Sequence, residues 1–310
     1  MSALRRRIAV VADDAAALPP AWRQTAAREG GLEVVELPVL VDGQLLPVPG
    51  PAGEHGDEVA PALLLALAEG RPVTTSRPSP GQLRRVYQRL RDAGYEGVVS
   101  VHLSAELSGT VGSARIARQG LDVPVAVVDS RTAAMAQGFG VQKAWQVAGT
   151  GAGLEEVAAA AREGSRDNTL LLHVPSLETL RRGGRIAPGP AVLGAVLQIR
   201  PLLSIADGRL AAVERPRSAA RARARFAALV GEALATSAHE RPALVMHHLG
   251  DGNGARELGE ELVEARRPDA GLVVSPLPPV LAAHVGLGAR AAVVEGPSAR
   301  TVPSPGSAAG

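Results

Sequence analysis

The sequence predicts an α/β protein of two domains. Residues 1–160 form an N-terminal three-layer domain around a parallel sheet, and residues 161–296 form a C-terminal α/β domain with a mixed sheet. Three observations lead there. The chain has 310 residues, and a domain takes ~100–200. Short apolar runs alternate with helix-periodic segments through the first half, the pattern of a parallel sheet with helices on both faces. Beyond the change of pattern at 155–168, Asp207-Gly208 separates two apolar runs, which signals a hairpin and so antiparallel pairing in the second sheet.

The elements follow in order. RIAVVA at 7–12 is a short buried strand, and 19–29 opens with Pro-Pro and continues as a helix. LEVVELPVLV at 32–41 is strand-like, with Pro38 marking an edge or a bend. Residues 57–69 are helical. In 80–93, Leu83, Val86, Tyr87 and Leu90 recur at three- and four-residue steps and define an amphipathic helix. A strand at 97–103, a helix at 107–119, a strand at 124–129 and a helix at 133–148 complete the alternation. AGTGAG at 148–153 breaks the chain before a helix near 154–162. The second half has a strand at 169–174, a short helix at 176–182 and the Gly/Pro-interrupted RRGGRIAPGPAVLGAVLQIRP. Strands at 201–206 and 209–213, a long helix at 218–236 and strands at 243–248, 271–275 and 289–294 follow. The tail 297–310, PSARTVPSPGSAAG, has the composition of a disordered segment.

Composition removes several function classes. With 33 basic and 31 acidic side chains the net charge is +2, too weak a field for a nucleic-acid binder. Trp22, Tyr87, Tyr95, Phe139, Trp145 and Phe226 are the only aromatics, too few for a base-stacking platform. Cysteine is absent, which excludes disulfides, thiol nucleophiles and thiolate metal sites. No apolar run approaches a membrane span. RRRIAVVADD meets Asp13 and Asp14 too soon for a secretory signal, so a cytoplasmic protein without stable membrane insertion is expected.

Two segments carry candidate chemistry. In TTSRPSPGQL at 74–83, Ser79, Pro80 and Gln82 form a capping box, while the hydroxyls of Thr74, Thr75 and Ser76 lie just ahead of that helix. In VVSVHLSAELSGTVGSA at 98–114, a buried strand runs into Ser108-Gly109-Thr110 at the start of a helix. Unpaired N–H groups and a positive dipole end suit a carboxylate or phosphate there. Ser108 reads equally well as a helix cap. Neither GxGxxG nor GxxxxGK[ST] is present, so no nucleotide site is apparent. His247 and His248, adjacent on a strand, point to opposite faces and cannot chelate one metal together. Arg221, Arg223 and Arg225 are spread around a helix as a solvated set. Arg181, Arg182 and Arg185 surround a Gly-Gly turn, and Arg215 and Arg217 form a second cluster beyond the hairpin; arginine suits anion recognition.

Taken together, these segments resemble the DegV family of fatty-acid-binding proteins over about residues 7–295. The family's VTDS…LP opening corresponds to VADDAAALP at 11–19, its TTSQPSP to TTSRPSP at 74–80, and its SGT strand-loop to SVHLSAELSGTVGSA at 100–114. A VVDS strand end stands at 127–130. LETLRRGGRIAPGPAVLGAVLQIRPLLSIADG at 177–208 and HVGLGA at 284–289 match two further family segments. Departures are Asp14 and Ala15, where the family has Ser and Thr, the missing Thr and Pro of the last motif, and the segment 41–57.

The resemblance implies a long-chain fatty acid held in a tunnel between two domains, with no cofactor and no resident metal. It implies carboxylate contacts from Thr75, Ser76, Ser108 and Gly109, with His284 completing the polar end. It also implies a partner, a fatty acid kinase subunit that carries ATP and phosphorylates the acyl carboxylate, with Arg185 and Arg217 contacting that subunit or the acyl phosphate. On this reading the chain is a substrate carrier and no residue of its own is catalytic. Two other readings were weighed. One is a serine hydrolase of acyl esters using Ser108 and His284, with Asp13 or Asp129 as acid. The other is a binding module with a vestigial pocket.

Overall fold

The computed structural model describes residues 7–46, 61–186 and 200–296. In chain order the elements are β1 (Ile8–Asp13), a 3-10 turn (Asp14–Ala16), α1 (Pro20–Glu29), β2 (Leu32–Val35), β3 (Val39–Val41) and β4 (Gln44–Leu45). Then come α2 (Pro61–Ala68), β5 (Val73–Thr75), α3 (Pro80–Asp92), β6 (Gly97–His102), α4 (Thr110–Ala117), β7 (Val125–Asp129), α5 (Ala134–Gly149) and α6 (Leu154–Arg166). The second half contains β8 (Asn168–His173), α7 (Glu178–Arg182), β9 (Leu202–Ala206), β10 (Arg209–Glu214), α8 (Ala219–Thr236), β11 (Ala243–His248), α9 (Gly252–Arg266), β12 (Gly271–Pro276), α10 (Pro279–Val285) and β13 (Arg290–Glu295).

The chain divides into two compact units, 1–38 with 75–167, and 39–74 with 168–310. The first is built on the all-parallel sheet β2-β1-β6-β7. Its strands are apolar on both faces because both are covered. Ile8, Val10 and Ala12 pack with Val141, Trp145, Val157 and Ala161 of α5 and α6. The alternate residues Ala9 and Val11 pack with Leu83, Val86, Tyr87, Leu90, Ala114 and Ala117 of α3 and α4. This is the three-layer arrangement expected. Ser79 accepts the Gln82 N–H at 3.2 Å and Gln82 returns a bond to the Ser79 N–H at 2.8 Å, so the capping box forms as read.

The second unit is built on the mixed sheet β10-β9-β8-β13-β11-β12, in which β11 and β12 are parallel and the other neighbours antiparallel. Asp207 and Gly208 both take positive φ, 52° and 83°, in the β9–β10 turn. Leu171, Leu244, Met246, Ala292 and Val294 of the sheet share a core with Phe226, Leu229, Val230 and Leu234 of α8 and Leu262 of α9. A small sheet, β4-β3-β5, belongs largely to this unit, and α10 packs on β3, α2 and α7.

Several sequence expectations change. The single strand at 32–41 is two strands in different sheets, because Pro38 ends the first and the chain leaves the first unit there. Residues 39–74 therefore sit with the second unit, whereas the sequence reading drew one boundary at 160/161; the later crossing lies at 167/168. Helices α9 and α10 and the short strands β4 and β5 were not read at all. The helix at 107–119 starts at Thr110, with Gly109 rather than Ser108 as its N-cap. Residues 57–60, most of the Gly/Pro-interrupted segment (187–199) and the tail 297–310 lie outside the described residues.

Candidate functional site

The carboxyl ends of β1, β6 and β7 bring Asp13, His102 and Asp129 to one edge of the parallel sheet, the edge where ligands collect in such folds. Asp13 is fully buried, and every oxygen it has is used. Its Oδ2 accepts from His102 Nδ1 at 2.9 Å and from the Leu103 N–H at 3.1 Å, and its Oδ1 accepts from Gln137 Nε2 at 3.1 Å. With Nδ1 donating, His102 Nε2 accepts from Ser100 Oγ at 2.8 Å, and Ser100 accepts in turn from Tyr87 Oη at 2.8 Å. Every proton in this chain of groups has one place. Burial pushes the Tyr87 hydroxyl up to about 12, so it stays a donor.

This relay anchors the loop that follows β6. The Asp13–Leu103 bond fixes the exit of the strand, the Ser104 carbonyl accepts from the Leu107 and Ser108 N–H groups at 3.0 Å each, and Asp129 Oδ1 accepts from the Ala105 N–H at 3.1 Å. Ser108 thereby reaches the start of α4 half-buried. Its Oγ lies 2.9 Å from Thr110 Oγ1 and accepts the Thr110 N–H at 3.3 Å. The Gly109 N–H has no acceptor among the described residues. Both functions weighed for Ser108 thus meet: it binds the helix entrance, and its hydroxyl proton remains orientable.

The second segment is neighbour to the first. The Ser76 N–H donates to the Pro38 carbonyl at 2.8 Å, which places Thr75 and Ser76 at the point where the chain re-enters the first unit. Thr75 is half-buried and Ser76 exposed. One residue on, the Arg77 side chain lies against the backbone of Gly109. A Cβ at Gly109 would stand 2.5 Å from Arg77 Nη1 and 2.8 Å from its Cδ. The structure therefore brings the TTS and SGT segments together.

In the second unit, His284 on α10 lies against the Gly-Gly turn after α7: a Cβ at Gly183 would be 2.8 Å from His284 Nδ1. Arg185, whose Nη1 donates to the Gly183 carbonyl, is beside it. Burial, reinforced by Arg185, pushes the His284 imidazole down to about 4, so it is neutral at pH 7. Arg217 is exposed ahead of α8 and makes no hydrogen bond or ion pair among the described residues. Arg181 and Arg182 are paired with Glu178, and Arg225 with Glu214 at 2.8 Å. No group of three or more His, Cys, Asp or Glu among the described residues could hold a metal ion. No described helix is long and apolar enough to cross a membrane.

Asp14, the first residue beyond β1, is partly accessible, with Oδ1 accepting the Leu37 N–H at 3.0 Å. Its surroundings and the Asp13 and Glu36 charges push its carboxyl well above the ordinary range. The acids considered for a hydrolase are both committed elsewhere: Asp13 to His102, and Asp129 to the Ala105 and Arg131 N–H groups. Sequence reasoning missed the Tyr87–Ser100–His102–Asp13 relay. Its signal was Ser100 and His102 two apart in an otherwise apolar strand, hence on one face.

The whole described chain has relatives. The sequence model of a family described as "Uncharacterised protein, DegV family" matches residues 7–296. A DegV domain-containing protein of Streptomyces coelicolor is 35% identical over 94% of this chain and 99% of its own, and one of Mycobacterium tuberculosis is 36% identical over 91% and 95%. Among solved structures, a fatty-acid-binding DegV family protein from Thermus thermophilus superposes with a TM-score of 0.80 at 30% identity, covering 94% of this chain and 99% of its own. DegV, a fatty acid binding protein from Bacillus subtilis, gives 0.78 at 25% identity, covering 94% and 100%. The fold, the ordered motifs and these matches have one meaning: the chain belongs to the DegV family.

Proposed function

We propose that this protein binds a long-chain fatty acid and presents its carboxylate to a fatty acid kinase subunit, which supplies ATP and forms the acyl phosphate. The observation that carries the reading is the Ser108 hydroxyl and the unpaired Gly109 N–H at the carboxyl edge of a parallel sheet, in a chain similar to structures described as fatty acid binding. Burial at ~0.8 kcal/mol per methylene gives a sixteen-carbon chain about 12 kcal/mol at most, less the cost of ordering it. The carboxylate adds direction. Buried without donors it would cost several kcal/mol, so hydroxyls and backbone N–H groups must meet it. Thr75, Ser76, Ser108 and Gly109 supply them in this reading, and the family pattern adds His284, which as a neutral imidazole gives a hydrogen bond and no charge. Arg185 and Arg217 are assigned to the kinase subunit or the acyl phosphate.

Mass spectrometry of the purified protein, native and after organic extraction, tests this reading. One fatty acid per chain is expected, and Ser108→Ala and Thr75→Ala should each retain less. A protein that is empty and takes up no added fatty acid overturns it; unchanged retention in both variants overturns the carboxylate assignment.

A further inference from the structure

We propose that Arg77 is the charge-recognition residue of this same anion site: its guanidinium, laid over Gly109, contacts the ligand's carboxylate and selects acids over neutral lipids. The inference rests on the fatty-acid reading above and adds to it a residue that neither the TTS hydroxyls nor the SGT motif supplies.

Three observations carry it. The first is position. The side chain runs across the one residue at the mouth of α4 that has no side chain, so closely that a Cβ there would lie 2.5, 2.8 and 3.3 Å from Nη1, Cδ and Cζ. The guanidinium is therefore next to the Ser108 Oγ–Thr110 Oγ1 pair and the Gly109 N–H. The second is the lack of an internal partner. Arg7, Arg71, Arg89, Arg225 and Arg290 each hold a carboxylate, whereas the Arg77 guanidinium makes no hydrogen bond or ion pair among the described residues. Five N–H donors are left for something else. The third is electrostatic. A helix N-terminus carries roughly half a positive charge, so a cation resting on it is repelled unless an anion lies between them. A carboxylate meeting Ser108, the Gly109 N–H and Arg77 together removes that repulsion and fills the donors.

This assignment also bears on the chemistry. Ser, Thr and a neutral His bind a carboxylate through hydrogen bonds that an alcohol or amide could equally accept. A guanidinium does not treat them alike, because its gain depends on the ligand's charge. Arg77 thus gives the site its preference for the ionised acid, and an acyl phosphate, with more negative charge, would be held by the same group.

The test uses the full chain stripped of lipid, with palmitate and hexadecanol as competitors of a fluorescent fatty acid, at low and high salt. Arg77→Gln should weaken palmitate about tenfold at low salt, with the difference shrinking as salt screens it, and leave hexadecanol unchanged. Arg77→Lys, which keeps the charge, should recover most of the palmitate affinity. Equal palmitate binding in wild type and Arg77→Gln overturns the proposal while the fatty-acid reading stands. Equal losses for palmitate and hexadecanol also overturn it, since that is the mark of a merely structural side chain. A wild-type protein that binds neither competitor brings down the reading and this proposal together.

Discussion

At Asp14 the chain departs from its family's pattern, and the structure shows what the change costs. The carboxyl is pushed well above the ordinary range, first by its surroundings, then by Asp13 and Glu36, with the Leu37 N–H on Oδ1 only partly opposing them. A carboxyl raised in the folded state gives its full stability below the unfolded value of 3.8 and loses it as pH rises through the folded value. Asp14→Asn keeps the acceptor for Leu37 and removes the charge. The variant should melt at the wild-type temperature near pH 4 and above it at pH 8, by about 2–4 °C for each kcal/mol relieved; parallel melting curves across that range would rule this out. The sequence displayed the site residues well because hydroxyls and glycines at strand ends are few and motif-bound. It concealed Arg77, because nothing in TTSRPSP tells that the arginine turns back over Gly109. It also concealed the buried relay, since a hydrogen bond between Asp13 and His102, 89 residues apart, is set by strand pairing and not by spacing.

Elements were legible where periodicity was strong and flanks were marked. Helix α3, with its capping box, and the β9–β10 hairpin, with Asp207-Gly208, are examples. Helix α9 was missed because three glycines in GDGNGA stand at its first turn, and a glycine-rich start reads as a loop. Its cap is Asp251, whose Oδ1 accepts the Gly254 N–H at 2.9 Å. The strand at 32–41 was fused because β-propensity continues through it while the pairing partner changes. The closest helix pair, α5 with α6, depends on two glycines that periodicity does not explain. A Cβ at Gly140 would lie 2.0 Å from Ser165 Oγ and 2.6 Å from the Ala161 carbonyl, and one at Gly164 would be 3.1 Å from Gly140 Cα. Backbone cannot yield as a flexible side chain does, so Gly140→Ala should destabilise by about 1–3 kcal/mol despite alanine's better helix propensity. Urea unfolding measures this, and a neutral or stabilised variant would show that the helices can part freely.

For the molecule as a whole, acid is the expected weakness. His247 is fully buried on β11, with neither ring nitrogen hydrogen-bonded among the described residues, and the nearby Ser275 backbone only partly offsets the burial that pushes it down to about 4. A lowered histidine stabilises fully above its unfolded value of 6.5 and loses that contribution as pH falls toward 4. For a group this buried the loss is on the order of 3 kcal/mol, and half-buried His284 adds a smaller share. His247→Leu should flatten the fall in urea stability between pH 7 and pH 4.5; an unchanged slope would assign acid lability to other groups. The path of the chain through its two units has a different consequence, in time. β3 and α2 are synthesised early, yet α10, the helix they pack on, follows only after about 200 further residues. At ~5–20 residues per second that is an interval of roughly 10–40 s. All through it the nascent chain carries PALLLALA, the whole of α2, without its partner. The ribosome-bound protein is therefore at its stickiest after its first unit has emerged and before translation ends, which is when chaperone engagement should peak.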